Sequence, residues 1–202
     1  MIAADRTFLL KDGREAVLRS ARPEDAKEIV EFLRQTAGES EFNIRSPEEC
    51  GSNTEEGEAA FIEKAAASPR CLVLVCRVGG RLAASSVITS GKKIKIRHRA
   101  WLSLCVLREF WGLGIGSELM AEMERFAVES PQILQVELDV IGGNERAIGL
   151  YEKFGFEKTG IIPDAVRLRD GSFRDILTMV KKTRKTHPSG ISAGRLDRAT
   201  EK

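Results

Sequence analysis

The sequence predicts a single α/β domain built on a mixed, largely antiparallel sheet of about seven strands flanked by four helices. Three observations lead there. Short apolar runs with period-two alternation recur along the chain, and longer segments between them carry apolar residues at helical spacing. Near the middle, "EFWGLGIGSELM" (Glu109 to Met120) sets three glycines between a strand pattern and a helix pattern, with a further strand after it. Strand, loop, helix, strand is the order of a right-handed crossover between parallel strands.

The elements follow in order. "EAVLRSA" (Glu15 to Ala21) alternates as a short strand. "RPEDAKEIVEFLRQTAG" has Pro23 early, acids in its first turn and Ala26, Ile29, Val30 and Leu33 at helical spacing, ending near Gly38. "ESEFNIRSPEECGSN" is a polar connection, and "TEEGEAAFIEKAAAS" a second helix with Thr54 as its cap. "CLVLVCRV" and "RLAASSVITS", divided by Gly79 and Gly80, form a hairpin. "KIKIRHRAWLSLCVL" alternates from Ile94 through Ile96, His98, Ala100, Leu102 and Leu104 to Val106 and reads as a third antiparallel strand. After the glycines, Leu119, Met120, Met123, Phe126 and Ala127 mark a helical stripe, and "QILQVELDVI" is a strand. "NERAIGLYEKFG" is a helix from an Asn144 cap to Gly155, and "FEKTGIIPDAVRL" with "SFRDILTMVK" makes a final strand pair around "RDGS".

Composition narrows the function classes. With 42% hydrophobic and 31% charged residues in 202, the chain reads as an ordinary soluble protein with one core and a tail. The start is too polar for a secretion signal and no apolar run approaches a membrane span, so a cytoplasmic location with no membrane partner is expected. Four cysteines without a close CxxC pair, and two histidines, argue against a metal site and against structural disulfides. The domain is expected over residues 1–181. Residues 182–202 form a basic tail, poor in large apolar residues and read as disordered. Such a tail could touch nucleic acid or an acidic partner, but a solvated appendage is the favoured reading.

The glycine loop is the strongest local signal. Unpaired amides and the positive dipole end at a helix N-terminus favour an anion, and Gly112, Gly114 and Gly116 would let backbone approach a phosphate. The competing reading is a tight turn with close helix–strand packing. A P-loop fails, since no Gly-Lys-Ser/Thr follows. A dinucleotide fold is weak: Asp139 lies near the place of a ribose-binding acid, but Ser117 replaces the last glycine, and only one crossover is present.

"VLREFWGLGIGSELM" resembles the acyl-CoA motif R/Q-x-x-G-x-G/A of the GNAT N-acetyltransferase superfamily, with Trp111, Gly114 and Gly116 in register. "LDVIGGNERAIGLYEKFGFEKTG" resembles the family's next motif through Asn144, Ala147, Tyr151 and the Gly155-Phe156 pair. The resemblance covers roughly residues 15 to 181. One departure is Trp111, where the family usually carries Arg or Gln. A single GNAT-like domain is implied, with a splayed parallel strand pair holding acetyl-CoA as co-substrate and no metal. The pyrophosphate would lie on the amides of Gly112, Leu113, Gly114, Ile115, Gly116 and Ser117, and the pantetheine arm along Leu104, Cys105 and Val106. Asn144 would bond to that arm, cap its helix, or do both.

The resemblance implies acetyl transfer to a primary amine by direct attack in a ternary complex. The acceptor could be an amino acid, a polyamine or a protein N-terminus. Tyr151, the only tyrosine, matches the family's acid for the departing sulfur. Asp139 stands near the place of a glutamate base in relatives that modify ribosomal proteins, with Glu137 in reserve and a solvent-facing strand carboxylate as the alternative. Cys105 and His98 are read as packing residues. Glu39, Glu41, Phe42, Asp164 and Asp175 are candidates for acceptor recognition. A homodimer is a further expectation carried by the family. The other function class is a non-catalytic acyl-CoA sensor, which would share the glycine loop but not require Tyr151 beside a carboxylate. A nicotinamide-dinucleotide protein is the third.

Overall fold

A computed structural model describes residues 4–183, and side chains throughout that span except at 51 and 52. Among these residues eight strands form one sheet: β1 (Arg6–Leu9), β2 (Glu15–Ser20), β3 (Cys71–Val78), β4 (Arg81–Ser90), β5 (Arg99–Val106), β6 (Gln135–Ile141), β7 (Glu157–Arg167) and β8 (Phe173–Lys182). Four α-helices accompany them: α1 (Ala26–Glu39), α2 (Glu55–Ala66), α3 (Ile115–Glu129) and α4 (Glu145–Lys153). The strand order is β1-β2-β3-β4-β5-β6-β8-β7. Every neighbouring pair is antiparallel except β5 with β6, which the α3 crossover makes parallel.

Local chemistry accounts for most boundaries. The Thr54 side chain accepts from the Gly57 N–H at 3.1 Å and starts α2; Asn144 accepts from the Ala147 N–H at 3.3 Å and starts α4. Gly79 and Gly80, both at positive φ, turn β3 into β4. The α3 stripe of Leu119, Met120, Met123, Phe126 and Ala127 is wholly buried, each large side chain contributing about 2 kcal/mol. β3 is buried along almost its whole length, with both α2 and α3 packed against it.

Four features depart from the sequence reading. Arg6–Leu9 adds an eighth strand, paired with Leu18 to Glu15 through the turn at Gly13. Ile94–Ile96 is a 3-10 turn rather than strand, and Ile94 is 79% exposed. That turn presses the Ile96 carbonyl so close to Gly91 that a Cβ there would sit 2.5 Å away, so two alternating isoleucines imitated a strand without pairing as one. Residues 132–134 precede β6 and lie outside it. Lys182, taken as the first tail residue, closes β8, and Thr183 is tied back by its N–H to the Leu134 carbonyl at 3.1 Å. The rest of the tail, 184–202, lies outside the described residues.

The start of α1 is held by a buried charge network. Arg19 of β2 donates twice to Asp25 at 2.7 Å, the Arg22 N–H donates at 2.8 Å, and Arg77 of β3 adds a third cation contact at 3.2 Å. Glu28 accepts from Arg77 at 2.5 Å and from the Leu82 N–H of β4 at 2.8 Å. Burial alone would raise the Asp25 carboxyl, but the Arg19, Arg22 and Arg77 donors outweigh it and hold the carboxyl below its ordinary value. A depressed native value stabilises the fold above the unfolded carboxyl's value of about 3.9 and loses that stabilisation as pH falls through the native one. Asp25→Asn is therefore expected to cost about 3 kcal/mol at pH 7. Denaturant melts at falling pH should show the gap to wild type closing below about pH 4.

Candidate acyl-CoA site between the splayed strands

β5 and β6 pair only over Arg99 to Trp101 with Gln135 to Glu137. Beyond Trp101, β5 continues to pair with β4 as far as Val106 opposite Ala84, while β6 follows β8 as far as Ile141 opposite Ile176. The two parallel strands therefore diverge, leaving an opening walled by Leu102 to Val106 on one side and Leu138 to Ile141 on the other. At its closed end Arg99 forms a two-pronged ion pair with Glu137, and Gln135 also donates to Glu137.

Strand alternation assigns the open edge. The Leu107 N–H donates to the Ala83 carbonyl at 3.0 Å, so the backbone of Leu107 and, two residues back, of Cys105 points toward β4. Leu104 and Val106 present their backbone groups to the opening. One of these is occupied: the Trp111 indole N–H donates to the Val106 carbonyl at 2.7 Å. Of the three residues expected to line the arm, Leu104 offers a complete amide, Val106 its N–H, and Cys105 only its half-buried side chain. Burial raises the Cys105 thiol, which Arg45 nearby partly offsets, so it stays protonated and poorly nucleophilic.

The glycine loop lies just past the end of β5. Gly112 has φ 78° and Gly114 φ 104°, conformations that side chains resist. A Cβ on either would meet nothing within 4 Å. Among the described residues, the N–H groups of Gly112, Leu113, Gly114, Ile115 and Gly116 have no hydrogen-bond acceptor, whereas that of Ser117 is spent on the Gly114 carbonyl at 3.0 Å. Five consecutive free donors running into the first turn of a fifteen-residue helix suit a pyrophosphate. Gly116 serves packing as well, since a Cβ there would lie 3.0 Å from the Leu150 side chain of α4. The Lys11 N–H, in the turn from β1 to β2, holds the Leu113 carbonyl at 3.1 Å. No sequence pattern announces that contact.

Tyr151 is buried in α4, its ring tilted against Phe156 at 6.0 Å, and among the described residues its hydroxyl has no partner. Burial, with Cys105 as a lesser cause, pushes it up to about 12. Asp139 is exposed on β6, two residues beyond the last β5 pairing, and accepts from the Thr178 hydroxyl at 2.7 Å. It shares a strand face with Glu137, while Val136, Leu138 and Val140 enter the core. Glu137 is engaged by Arg99, which outweighs burial and holds its carboxyl below the ordinary value.

The acceptor candidates divide. Glu39 accepts from the Arg108 N–H at 2.7 Å, so its carboxylate fixes the approach to the glycine loop. Phe42 lies beside Gly143, which places the connection after α1 across the mouth of the opening. Asp175 accepts from the Asp164 N–H at 3.0 Å and, through its carbonyl, from the Gly142 N–H at 2.8 Å. It shapes the turn between β6 and α4. Arg45, Arg99, Thr178 and Arg146 belong to this region and carry no sequence signature of their own.

Comparison with known proteins follows the same lines. The model of the Acetyltransferase (GNAT) family matches residues 38–156. The chain is 29% identical, over 119 residues (59% of this chain and 73% of the relative), to the L-amino acid N-acetyltransferase AaaT of Escherichia coli. A GNAT-family acetyltransferase from Streptococcus pneumoniae superposes with TM-score 0.79 at 29% identity, covering 83% of this chain and 99% of that one. The yncA protein of Salmonella typhimurium, solved with acetyl-CoA, shares the fold at TM-score 0.73 and 17% identity, covering 86% and 96%. With the motif region, the open parallel strands and the free amides coinciding in one place, the chain belongs to the GNAT family of acetyltransferases.

Proposed function

We propose that this protein transfers an acetyl group from acetyl-CoA to a primary amine by direct attack within a ternary complex. The observation that carries this reading is the alignment of two features that acyl-CoA needs together. A strand edge with unpaired amide groups can hold a pantetheine arm, and a run of five free N–H donors at its end can hold a pyrophosphate.

When bound, acetyl-CoA supplies a thioester, whose carbonyl a neutral amine can attack with expulsion of a thiolate. Leu104 and the Val106 N–H hold the arm, and Gly112 to Gly116 neutralise the phosphates. Tyr151 keeps its proton throughout the neutral range and donates it to the leaving sulfur as the carbon–sulfur bond breaks. Asp139, exposed on the β6 wall and held by the Thr178 hydroxyl, accepts the proton that the attacking amine sheds, through a water. Glu137 is a poorer base because its carboxylate is already bound by Arg99. Cys105, held as a thiol, is not expected to form an acyl-enzyme, which favours direct transfer. The named activity of the Escherichia coli relative puts L-amino acids first among acceptors, ahead of polyamines and peptide N-termini.

Free-thiol release from acetyl-CoA with that panel of amines tests the proposal. Release dependent on one amine class is expected; CoA binding without turnover on any amine would favour the sensing module, and binding of NAD alone would overturn the site. Tyr151→Phe should lower turnover about 100-fold with acetyl-CoA affinity unchanged, and a fully active variant would remove Tyr151 as the acid. Gly114→Asp should abolish CoA binding in calorimetry. Gly114→Ala, which brings the backbone strain without the charge, should weaken it less.

A further inference from the structure

The position that the family motif usually gives to Arg or Gln is held by Trp111, yet the structure brings cations to it from two other places. The Arg146 guanidinium of α4 lies 3.2 Å from the centroid of the Trp111 ring, and Arg108, from the turn before the loop, lies 5.6 Å from it. Among the described residues neither guanidinium has a carboxylate partner. Two nearby carboxylates are engaged elsewhere: Glu39 by the Arg108 N–H and Gln35, Glu109 by Arg81 at 2.7 Å.

This placement is unfavourable on three counts. Arg146 is in the first turn of α4, where the helix dipole disfavours a cation. Desolvation against its surroundings and, after it, the like charge of Arg108 both weaken Arg146's hold on its proton. Five unpaired amide donors add further positive potential just beyond. An anion would relieve all three. Stacking on the indole uses only the face of a guanidinium and leaves its in-plane N–H groups free, the geometry in which arginine holds phosphate.

We infer that Arg146 and Arg108, oriented by Trp111, form a phosphate-recognising cation pair for the nucleotide end of CoA, in place of the single side chain usual at the Trp111 position. The Trp111 indole N–H, fixed on the Val106 carbonyl, sets the ring and therefore the guanidiniums at a constant height above the strand end. The inference rests on the acyl-CoA reading of the glycine loop. The shared ligand chemistry is a phosphate, and two phosphates of the same molecule could supply it: the pyrophosphate and the 3′-phosphate.

Calorimetric titration of the full chain with CoA and with dephospho-CoA, which lacks the 3′-phosphate, separates these sources. Wild type must bind CoA; if it does not, the acyl-CoA reading itself has failed. Given that binding, Arg146→Ala is expected to weaken CoA about tenfold or more, with Arg108→Ala acting in the same direction. Loss for CoA with dephospho-CoA unchanged assigns the pair to the 3′-phosphate; equal loss for both assigns it to the pyrophosphate. Both side chains are exposed, so the thermal melt of each variant should match wild type. Arg146→Lys, which keeps charge but loses the planar stack, should recover only part of the affinity. If Arg146→Ala and Arg108→Ala each bind both ligands within twofold of wild type, the inference is wrong.

Discussion

The site depends on one constraint: β5 and β6 share a sheet for three residues and then part. Each strand is satisfied by its outer neighbour, β5 by β4 and β6 by β8, so divergence leaves backbone groups unpaired only on the two facing edges. Buried amides without partners are costly, and an edge of this kind is satisfied in water and suits a ligand that brings its own amides. The Arg99–Glu137 ion pair closes the junction below the opening, and the Trp111 indole caps one carbonyl at the far end. What is left open between them is short and defined.

The glycines of the loop divide their work. Gly112 and Gly114 adopt positive φ with empty space where a side chain would go, so they serve backbone shape and access. Gly116 lets α4 approach α3 through Leu150, so it serves packing. Open backbone with free amides, as a phosphate would need, and a close helix contact compete as explanations of the motif in the bare sequence, and the loop has both, the helix contact at Gly116.

Charge is used in two ways. Around Asp25 the cations and carboxylates balance, each Asp25 oxygen accepting from two donors, and with Glu28 the result fastens α1 to three strands. Around Trp111 they do not balance. Two guanidiniums and five amide donors face the same region without a described carboxylate partner, which suits a surface that waits for an anion rather than one that holds the fold together.

Short-range physics was legible in the sequence. The caps at Thr54 and Asn144, the Gly79-Gly80 hairpin, the buried stripe of α3 and the crossover around the glycine loop each depend on residues within a turn or two of one another. Where a local pattern misled, as at Ile94 and Ile96, the missing factor was a pairing partner, which alternation alone does not supply. The family motifs placed Tyr151, Asp139 and the loop glycines in one neighbourhood. The tertiary structure alone decided which atoms are available there: Cys105 turns its backbone toward β4, Ser117 spends its N–H on Gly114, Glu137 is bound by Arg99, and Glu39 caps Arg108 across 69 residues. It also set Arg146 against Trp111 from a separate helix. Availability is settled by contacts between distant segments, and those follow from how helices and strands pack, not from the spacing of residues along the chain.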